Sequence, residues 1–171
     1  MITLRHETEK DYVAISRVND LSFGRTAEGK LIKKLRRKEG FRKELSIIAQ
    51  FNEMVVGHIL FTPVNIRNDN SIHQTLILAP MAVLPEFQKK SIGKLLMIYG
   101  LQEATELGFR SVIVLGHPSY YPRFGFRPAS TWKITSPFPA PEEAFMALEL
   151  LPDSLKGING MVVFPDEFDG L

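Results

Sequence analysis

An α/β chain of the α+β kind, built on one mixed sheet, is what three features of this 171-residue sequence predict. Apolar and alternating runs separated by Asn, Asp, Glu and Ser turns mark a strand meander in the first half. Two stretches with apolar residues at three- and four-residue spacing precede that meander and read as helices. A strand, a basic loop, a helix and a second apolar strand follow it; such a βαβ crossover makes the two strands parallel. The order these patterns give is β-α-α-β-β-β-α-β, followed by late strands. Its length suits one core, so a single domain over residues 1–171 is expected.

The elements follow in order. Ile2-Thr3-Leu4-Arg5 alternates as a short strand. Tyr12, Ile15, Val18 and Leu21 recur at helical spacing, with Thr8 as cap and Asp11 three residues later in a shortened capping box. A second helix over residues 27–37 carries Leu31, Ile32 and Leu35 on one face and Lys30, Lys33, Lys34, Arg36 and Arg37 on the other, with Lys38 next. That basic face reads either as a solvated surface or as a docking surface for an acidic substrate. Strands over residues 45–51, 54–66 and 72–84 are joined by the turns Asn52-Glu53 and Asn68-Asp69-Asn70-Ser71. A helix over residues 92–107 offers Leu95, Leu96, Ile98, Tyr99, Leu101 and Ala104 for burial, and Gly108 stands at its C-cap. Residues 111–115 form a buried strand. Late strands fall within residues 132–151, separated by Pro137, Pro139 and Pro141; Val162-Val163-Phe164 either covers the sheet or adds a strand.

Composition narrows the function. Lys and Arg number 21 against 19 Asp and Glu, a net charge of +2 that gives no general pull toward nucleic acid or membrane. There is no cysteine, which excludes disulfides, thiolate metal sites and a cysteine nucleophile and fits a reducing, cytoplasmic setting. The charged start lacks the apolar core of a signal peptide. The apolar run 76–84 is too short for a membrane span and contains Pro80. The four histidines lack the spacing of a metal site, so no metal is expected.

The most informative stretch leads into the helix at Ile92. A loop opening a helix gathers unpaired backbone N–H groups at the positive end of the helix dipole, a ready phosphate site. Lys89, Lys90 and Lys94 add countercharge, and Gly93 lets a ligand approach the backbone. Neither a Walker loop nor a dinucleotide fingerprint is present. By itself such a turn is equally compatible with plain solvation of a helix end.

Gln88-Lys89-Lys90-Ser91-Ile92-Gly93 resembles the pyrophosphate loop of the GNAT N-acetyltransferases, Q/R-x-x-G-x-G/A. Met81-Ala82-Val83-Leu84-Pro85-Glu86-Phe87 resembles the strand and turn before it, and Tyr120-Tyr121-Pro122-Arg123-Phe124-Gly125-Phe126 the family's later tyrosine and Gly-Phe signature. Leu115-Gly116-His117-Pro118-Ser119 and Pro141-Glu142-Glu143-Ala144-Phe145-Met146-Ala147-Leu148-Glu149-Leu150 extend the likeness to a bacterial group of predicted N-acetyltransferases, the YhbS-like proteins. The chain departs from the pattern at Ser91, where the family has its first glycine. If that position needs positive φ, a side chain there costs about 1 kcal/mol; its hydroxyl can in turn donate to a phosphate oxygen.

The resemblance implies an acyl-CoA N-acyltransferase fold of order β-α-α-β-β-β-α-β-α-β-β whose two parallel strands splay, with acetyl-CoA as co-substrate and a primary amine as acceptor. Met81, Ala82, Val83, Gln88, Lys89, Lys90, Ser91, Ile92, Gly93, Lys94, Tyr121 and Phe124 would contact the cofactor. Backbone N–H groups around Ala82 and Val83 would hold the thioester oxygen. Tyr121 matches the tyrosine that protonates the departing sulfur, with Tyr120 as fallback, and a phenol is protonated at neutral pH; its competing role is aromatic packing beside Phe124 and Phe126. Pro80 inside a strand run reads either as a break in pairing, which supports the splay on independent grounds, or as an ordinary edge-strand proline. For the base that deprotonates the amine, His117 is the sequence candidate, and its competing role is to stabilise a turn. His58 and His73 read as plain strand residues. Phe23, Trp132, Phe138 and Phe145 belong either to the acceptor region or to the core. A noncatalytic acyl-CoA-binding or regulatory module on the same fold is the alternative. Nucleic acid and membrane are not expected partners. A homodimer is the default oligomer.

Overall fold

The computed structural model describes residues 1–171. The chain forms two compact units: Met1–Thr62 with Ala79–Ala104 and Glu167–Leu171, and Pro63–Leu78 with Thr105–Asp166. Strands β3 (Met54–Arg67) and β4 (Ile72–Val83) and helix α3 (Ile92–Glu106) each contribute residues to both.

In the first unit β1 (Ile2–His6) lies antiparallel to β2 (Ser46–Phe51), Ile2 opposite Phe51 and His6 opposite Ile47. β2 in turn lies antiparallel to β3, Ser46 opposite Leu60 and Phe51 opposite Met54. The expected hairpin turn is there: Asn52 and Glu53 take φ of 48° and 70°, the doubly left-handed geometry that matches strand twist in a two-residue turn. α3 packs closely on β2 and β3 where side chains are smallest. A Cβ on Gly57 would meet Leu96 and Ile92, and one on Gly100 would run into the Phe61 ring. The helix buries Ile92, Leu96, Met97, Gly100 and Ala104, whereas Leu95 and Ile98, expected inside, are exposed. Gly108 is left-handed, as a C-cap glycine must be.

Helix α1 (Tyr12–Phe23) follows one 3-10 turn, Glu9–Asp11. The cap reads as expected: the Thr8 amide donates to Asp11 Oδ2 at 2.7 Å, and Arg5 clamps the same carboxylate at 2.8 and 3.0 Å. Hydrogen bonding from Arg5 is the main cause holding Asp11 below the usual carboxylate range. Helix α2 (Ala27–Leu35) is shorter than its sequence pattern and buries Leu31, Ile32 and Leu35. Gly29 admits α1 closely, since a Cβ there would lie 2.6 Å from Asp20 Oδ1.

In the second unit β4 pairs in parallel with β5 (Ser111–Leu115), Ile77 opposite Ile113, as the crossover requires. β5 is antiparallel to β8 (Phe145–Glu149), from Ser111 opposite Glu149 to Leu115 opposite Phe145. β6 (Arg127–Pro128) pairs with the other edge of β8. β7 (Ile134–Thr135) pairs with β9 (Gly160–Val163), which also pairs with the end of β3, Ile66 opposite Val162. Val162-Val163 therefore adds a strand, one of the two roles open to it. The helix expected after β5 is instead one 3-10 turn, Tyr121–Phe124, because Pro118 and Pro122 remove backbone donors in a short stretch bounded by Gly116 and Gly125. No helix is long and apolar enough to cross a membrane.

Candidate cofactor and catalytic site

The basic loop lies wholly in the first unit. After β4 a 3-10 turn, Pro85–Phe87, is closed by the Phe87 amide on the Leu84 carbonyl at 2.8 Å. Leu84 is tied to β3 through the Val56 carbonyl at 2.8 Å. Gln88 reaches back, its Nε2 donating to the Val83 carbonyl at 3.0 Å, so the first residue of the motif fixes the loop against the strand end. Lys89 and Ser91 then adopt φ of 61° and 65°. Two left-handed non-glycine residues within three positions are uncommon, and such strain concentrates at ligand sites. Ser91 therefore sits where positive φ is needed, which explains the glycine of the family pattern. The first helical bond of α3 runs from the Leu95 amide to the Ser91 carbonyl at 3.0 Å, so Ile92, Gly93 and Lys94 precede it with amides that have no intrahelical acceptor.

The side chains around this mouth are cationic and accessible. Lys89, Lys90, Ser91 and Lys94 are exposed, and Lys90 Nζ lies 5.4 Å above the Phe87 ring, itself packed on Phe51. Before the loop, Ala82 is buried while Met81 and Val83 are half-buried; Pro80, also buried, follows a cis Ala79–Pro80 bond. Three like charges and a row of free amides suit a polyanion; Glu86 precedes them, and no carboxylate follows until Glu103.

The second unit holds the tyrosines. At the end of β5 the Gly116 amide donates to the Ala144 carbonyl at 2.9 Å, and the His117 carbonyl accepts from the Tyr120 amide at 3.1 Å. Tyr121 opens the 3-10 turn closed by left-handed Gly125. Its ring lies against Gly116, where a Cβ would collide with it, and meets Tyr120 and Phe126 edge-on at 5.1 and 5.6 Å. Burial, reinforced by Tyr120, pushes the Tyr121 phenol up to about 12. Burial also raises the Tyr120 phenol, partly offset by Arg123, whose guanidinium lies 4.5 Å above that ring. Phe124 stacks on Tyr120 at 5.4 Å. The His117 imidazole is exposed, and its backbone carbonyl builds the turn.

Of the aromatics considered for the acceptor, Phe145 is core, Phe138 packs edge-on against Phe164 at 4.9 Å, Trp132 lies under Arg127 and Phe23 is exposed at the end of α1. No group of three or more His, Asp or Glu gathers to hold a metal ion.

His58 is not the plain strand residue its sequence context suggested. It is fully buried, and its ring joins two partners, Ser46 Oγ at 2.9 Å and Asn19 Nδ2 at 3.3 Å. Ser46 donates to Glu7, and Glu7 accepts from Arg36 at 2.8 and 3.2 Å. With the Ser46 proton committed to Glu7, His58 donates through Nε2 and accepts through Nδ1. Burial first, and the Arg36 charge second, lower its pKa to about 3, so the ring is neutral. A histidine inside the apolar run Val55-Val56-Gly57-His58-Ile59-Leu60 was the signal for such a network, because a buried imidazole needs partners.

A strand leading into a lysine-rich, amide-lined helix mouth, followed by a parallel strand and a half-buried tyrosine turn, fits the class of coenzyme-dependent acyltransferases. The chain belongs to the Acetyltransferase (GNAT) family, whose sequence model matches residues 12–126. It is similar to YjhQ of Escherichia coli K12, an uncharacterized N-acetyltransferase, with 39% identity over 81% of this chain and 77% of that one. It is also similar to the uncharacterized N-acetyltransferase YhbS of the same organism, with 32% identity over 97% and 98%. The crystal structure of E. coli YhbS in complex with CoA superposes with a TM-score of 0.90 at 30% identity, covering 98% of this chain and 91% of that one. A GNAT acetyltransferase from Brucella melitensis in complex with acetyl-CoA gives 0.80 at 29% identity over 99% of both chains.

Proposed function

We propose that this chain is an acetyl-CoA-dependent N-acetyltransferase that acetylates a primary amine, working as one domain in the cytoplasm. The observation that carries the proposal is the loop 88–94, with Lys89 and Ser91 left-handed and Ile92, Gly93 and Lys94 ahead of the first α3 hydrogen bond. Homologues in complex with CoA and acetyl-CoA support that assignment. The family match over residues 12–126 draws on both compact units, which supports the one-domain reading.

In this mechanism the amides of Ile92, Gly93 and Lys94 and the ammonium groups of Lys89, Lys90 and Lys94 bind the pyrophosphate. Gln88 holds the loop, and the Ser91 hydroxyl donates to a phosphate oxygen. Met81 and Phe124 pack along the cofactor arm, and amides around Ala82 and Val83 take up negative charge on the thioester oxygen as the amine adds. The amine loses one proton before attack. When the tetrahedral adduct collapses, the C–S bond breaks, and the second nitrogen proton goes to solvent as Tyr121 supplies one to sulfur. A phenol raised to about 12 keeps its proton at every physiological pH and serves as that acid. Tyr120, half-buried beside it, is the fallback acid, and His117, exposed at the strand end, is the candidate base.

Calorimetric titration with acetyl-CoA tests the assignment. Two lost phosphate contacts at roughly 1 kcal/mol each predict about thirtyfold weaker binding for Lys89→Ala/Lys90→Ala. Equal affinity in that variant, or no binding to wild type at millimolar acetyl-CoA, removes the loop from the mechanism.

A further inference from the structure

The face formed by α1 and α2 carries a groove of about 850 Å³ that takes no part in the chemistry above. On α1 it is lined by Tyr12, Val13, Arg17 and Leu21, and on the α2 side by Lys33 and Arg37. Its α1 positions recur over the nine steps from Tyr12 to Leu21, so the groove runs about 14 Å along the helix. Two aliphatic groups stand open in it, Val13 at 84% and Leu21 at 48% exposure. Arg36 is committed to Glu7 at 2.8 Å and lies 3.8 Å over the Tyr12 ring, but Arg17, Lys33 and Arg37 have no carboxylate within ion-pair distance. In the floor Ser16 Oγ and Asp20 Oδ1 are buried without hydrogen-bond partners.

The neighbouring side of α2 shows what such a surface holds. Lys38 Nζ lies 3.3 Å from Glu167 Oε1, and Lys30 and Lys34 line a hollow with Glu167 and Asp169 of this chain's own Asp166-Glu167-Phe168-Asp169 segment. Phe168 anchors that segment in the core. Cations at the edge and an apolar anchor between acidic residues are thus the recognition chemistry already in use one helical side away. The α1–α2 groove repeats it, with Lys33 and Arg37 in place of Lys34 and Lys38 and with Val13 and Leu21 as its open apolar groups, and nothing in the chain fills it.

We propose that the α1–α2 groove docks an acidic, amphipathic peptide segment of a partner protein, its carboxylates on Arg17, Lys33 and Arg37 and an aliphatic anchor on Val13 and Leu21. A groove of this length accepts two to three turns of such a helix, the helix-in-groove mode of peptide recognition. The groove favours a peptide over a nucleic acid: it contains the Asp20 carboxylate, which repels phosphate, and it offers a single ring, Tyr12, one face of which Arg36 already occupies, so it has no stacking platform for successive bases. A second copy docked groove to groove would set the same cations against each other.

Fluorescence anisotropy of a labelled 14-residue helical peptide, with leucine every three to four residues and glutamates flanking it, tests this on the intact chain. Saturable binding is expected, weakened about tenfold or more in Arg17→Glu/Arg37→Glu and in Val13→Asp. Lys30→Glu/Lys34→Glu, on the side facing the acidic segment, should bind as wild type does, and a peptide with glutamine for glutamate should not bind. All altered side chains are exposed, and circular dichroism checks that each variant is folded. No saturable binding to folded wild type, binding indifferent to Arg17 and Arg37, equal binding of a single-stranded oligonucleotide, or a dimer whose formation excludes the peptide would each overturn the proposal.

Discussion

Acidification should destabilise this protein through His58. The ring is fully buried and neutral, held between Ser46 and Asn19, with its pKa lowered to about 3 against an unfolded value near 6.5. Between those two values the unfolded chain carries a proton that the native state refuses, so stability rises with pH across this window and falls on acidification. The limiting slope is about 1.4 kcal/mol per pH unit. From pH 7 to pH 5 the unfolded imidazole goes from mostly neutral to mostly charged, which removes about 2 kcal/mol. Against a typical stability of 5–15 kcal/mol that is a large fraction, and it moves a urea midpoint by about 1 M. The assay is urea denaturation at pH 7, 6 and 5 for wild type and His58→Gln. The variant will be less stable at pH 7, because the Ser46–His58–Asn19 bonds are disturbed, but its loss between pH 7 and 5 should be smaller than that of wild type by about 2 kcal/mol. Parallel pH curves for the two proteins would refute the reasoning. Asp11, with its lowered pKa, contributes in the same direction only below about pH 4 and does not confuse this window.

Other expectations rest on single contacts. Tyr121→Phe should lower kcat by about 100-fold or more while leaving the affinity for acetyl-CoA intact, and in wild type the phenol raised to about 12 should cause no loss of rate below about pH 10; steady-state kinetics across pH checks both. Gly116→Ala should displace the Tyr121 ring that fills its Cβ position, costing about 1–3 kcal/mol in thermal unfolding and lowering kcat with it. Ser91→Gly should leave the melting temperature unchanged or slightly raised, because relief of about 1 kcal/mol at φ 65° is offset by glycine's entropy, whereas β-branched Ser91→Val should lower it by several degrees; a valine variant as stable as wild type would show that the loop is not held left-handed.

What could be read from the sequence was local chemistry. The Asn52-Glu53 turn, the crossover that makes β4 and β5 parallel, and the cap glycine Gly108 follow from residue types at short spacing, and each stands where it was expected. The strained position at Ser91 was legible too, because a departure from a glycine pattern states a backbone requirement. The segment after β5 was not: the family order implies a helix there, and Pro118 and Pro122 limit it to a 3-10 turn. Burial on α3 does not follow from its apolar residues alone, because Gly57 and Gly100 set which side of that helix meets the sheet, so Leu95 and Ile98 face outward. The Glu7–Ser46–His58–Asn19 network joins residues up to 51 positions apart, and no local pattern pairs them; only the oddity of an imidazole in an apolar strand pointed to it.

The Glu167–Leu171 segment has a consequence for how the chain is made. The first compact unit begins at Met1, yet it buries Phe168 and uses Glu167 to pair with Lys38. Translation at about 5–20 residues per second brings the helices and the first hairpin off the ribosome several seconds before the segment that completes them. Until then the Phe168 pocket is open and the Lys30–Lys38 side of α2 has no acidic cover. A nascent chain of this design offers a basic, partly apolar surface to its surroundings until the segment 167–171 emerges and closes it.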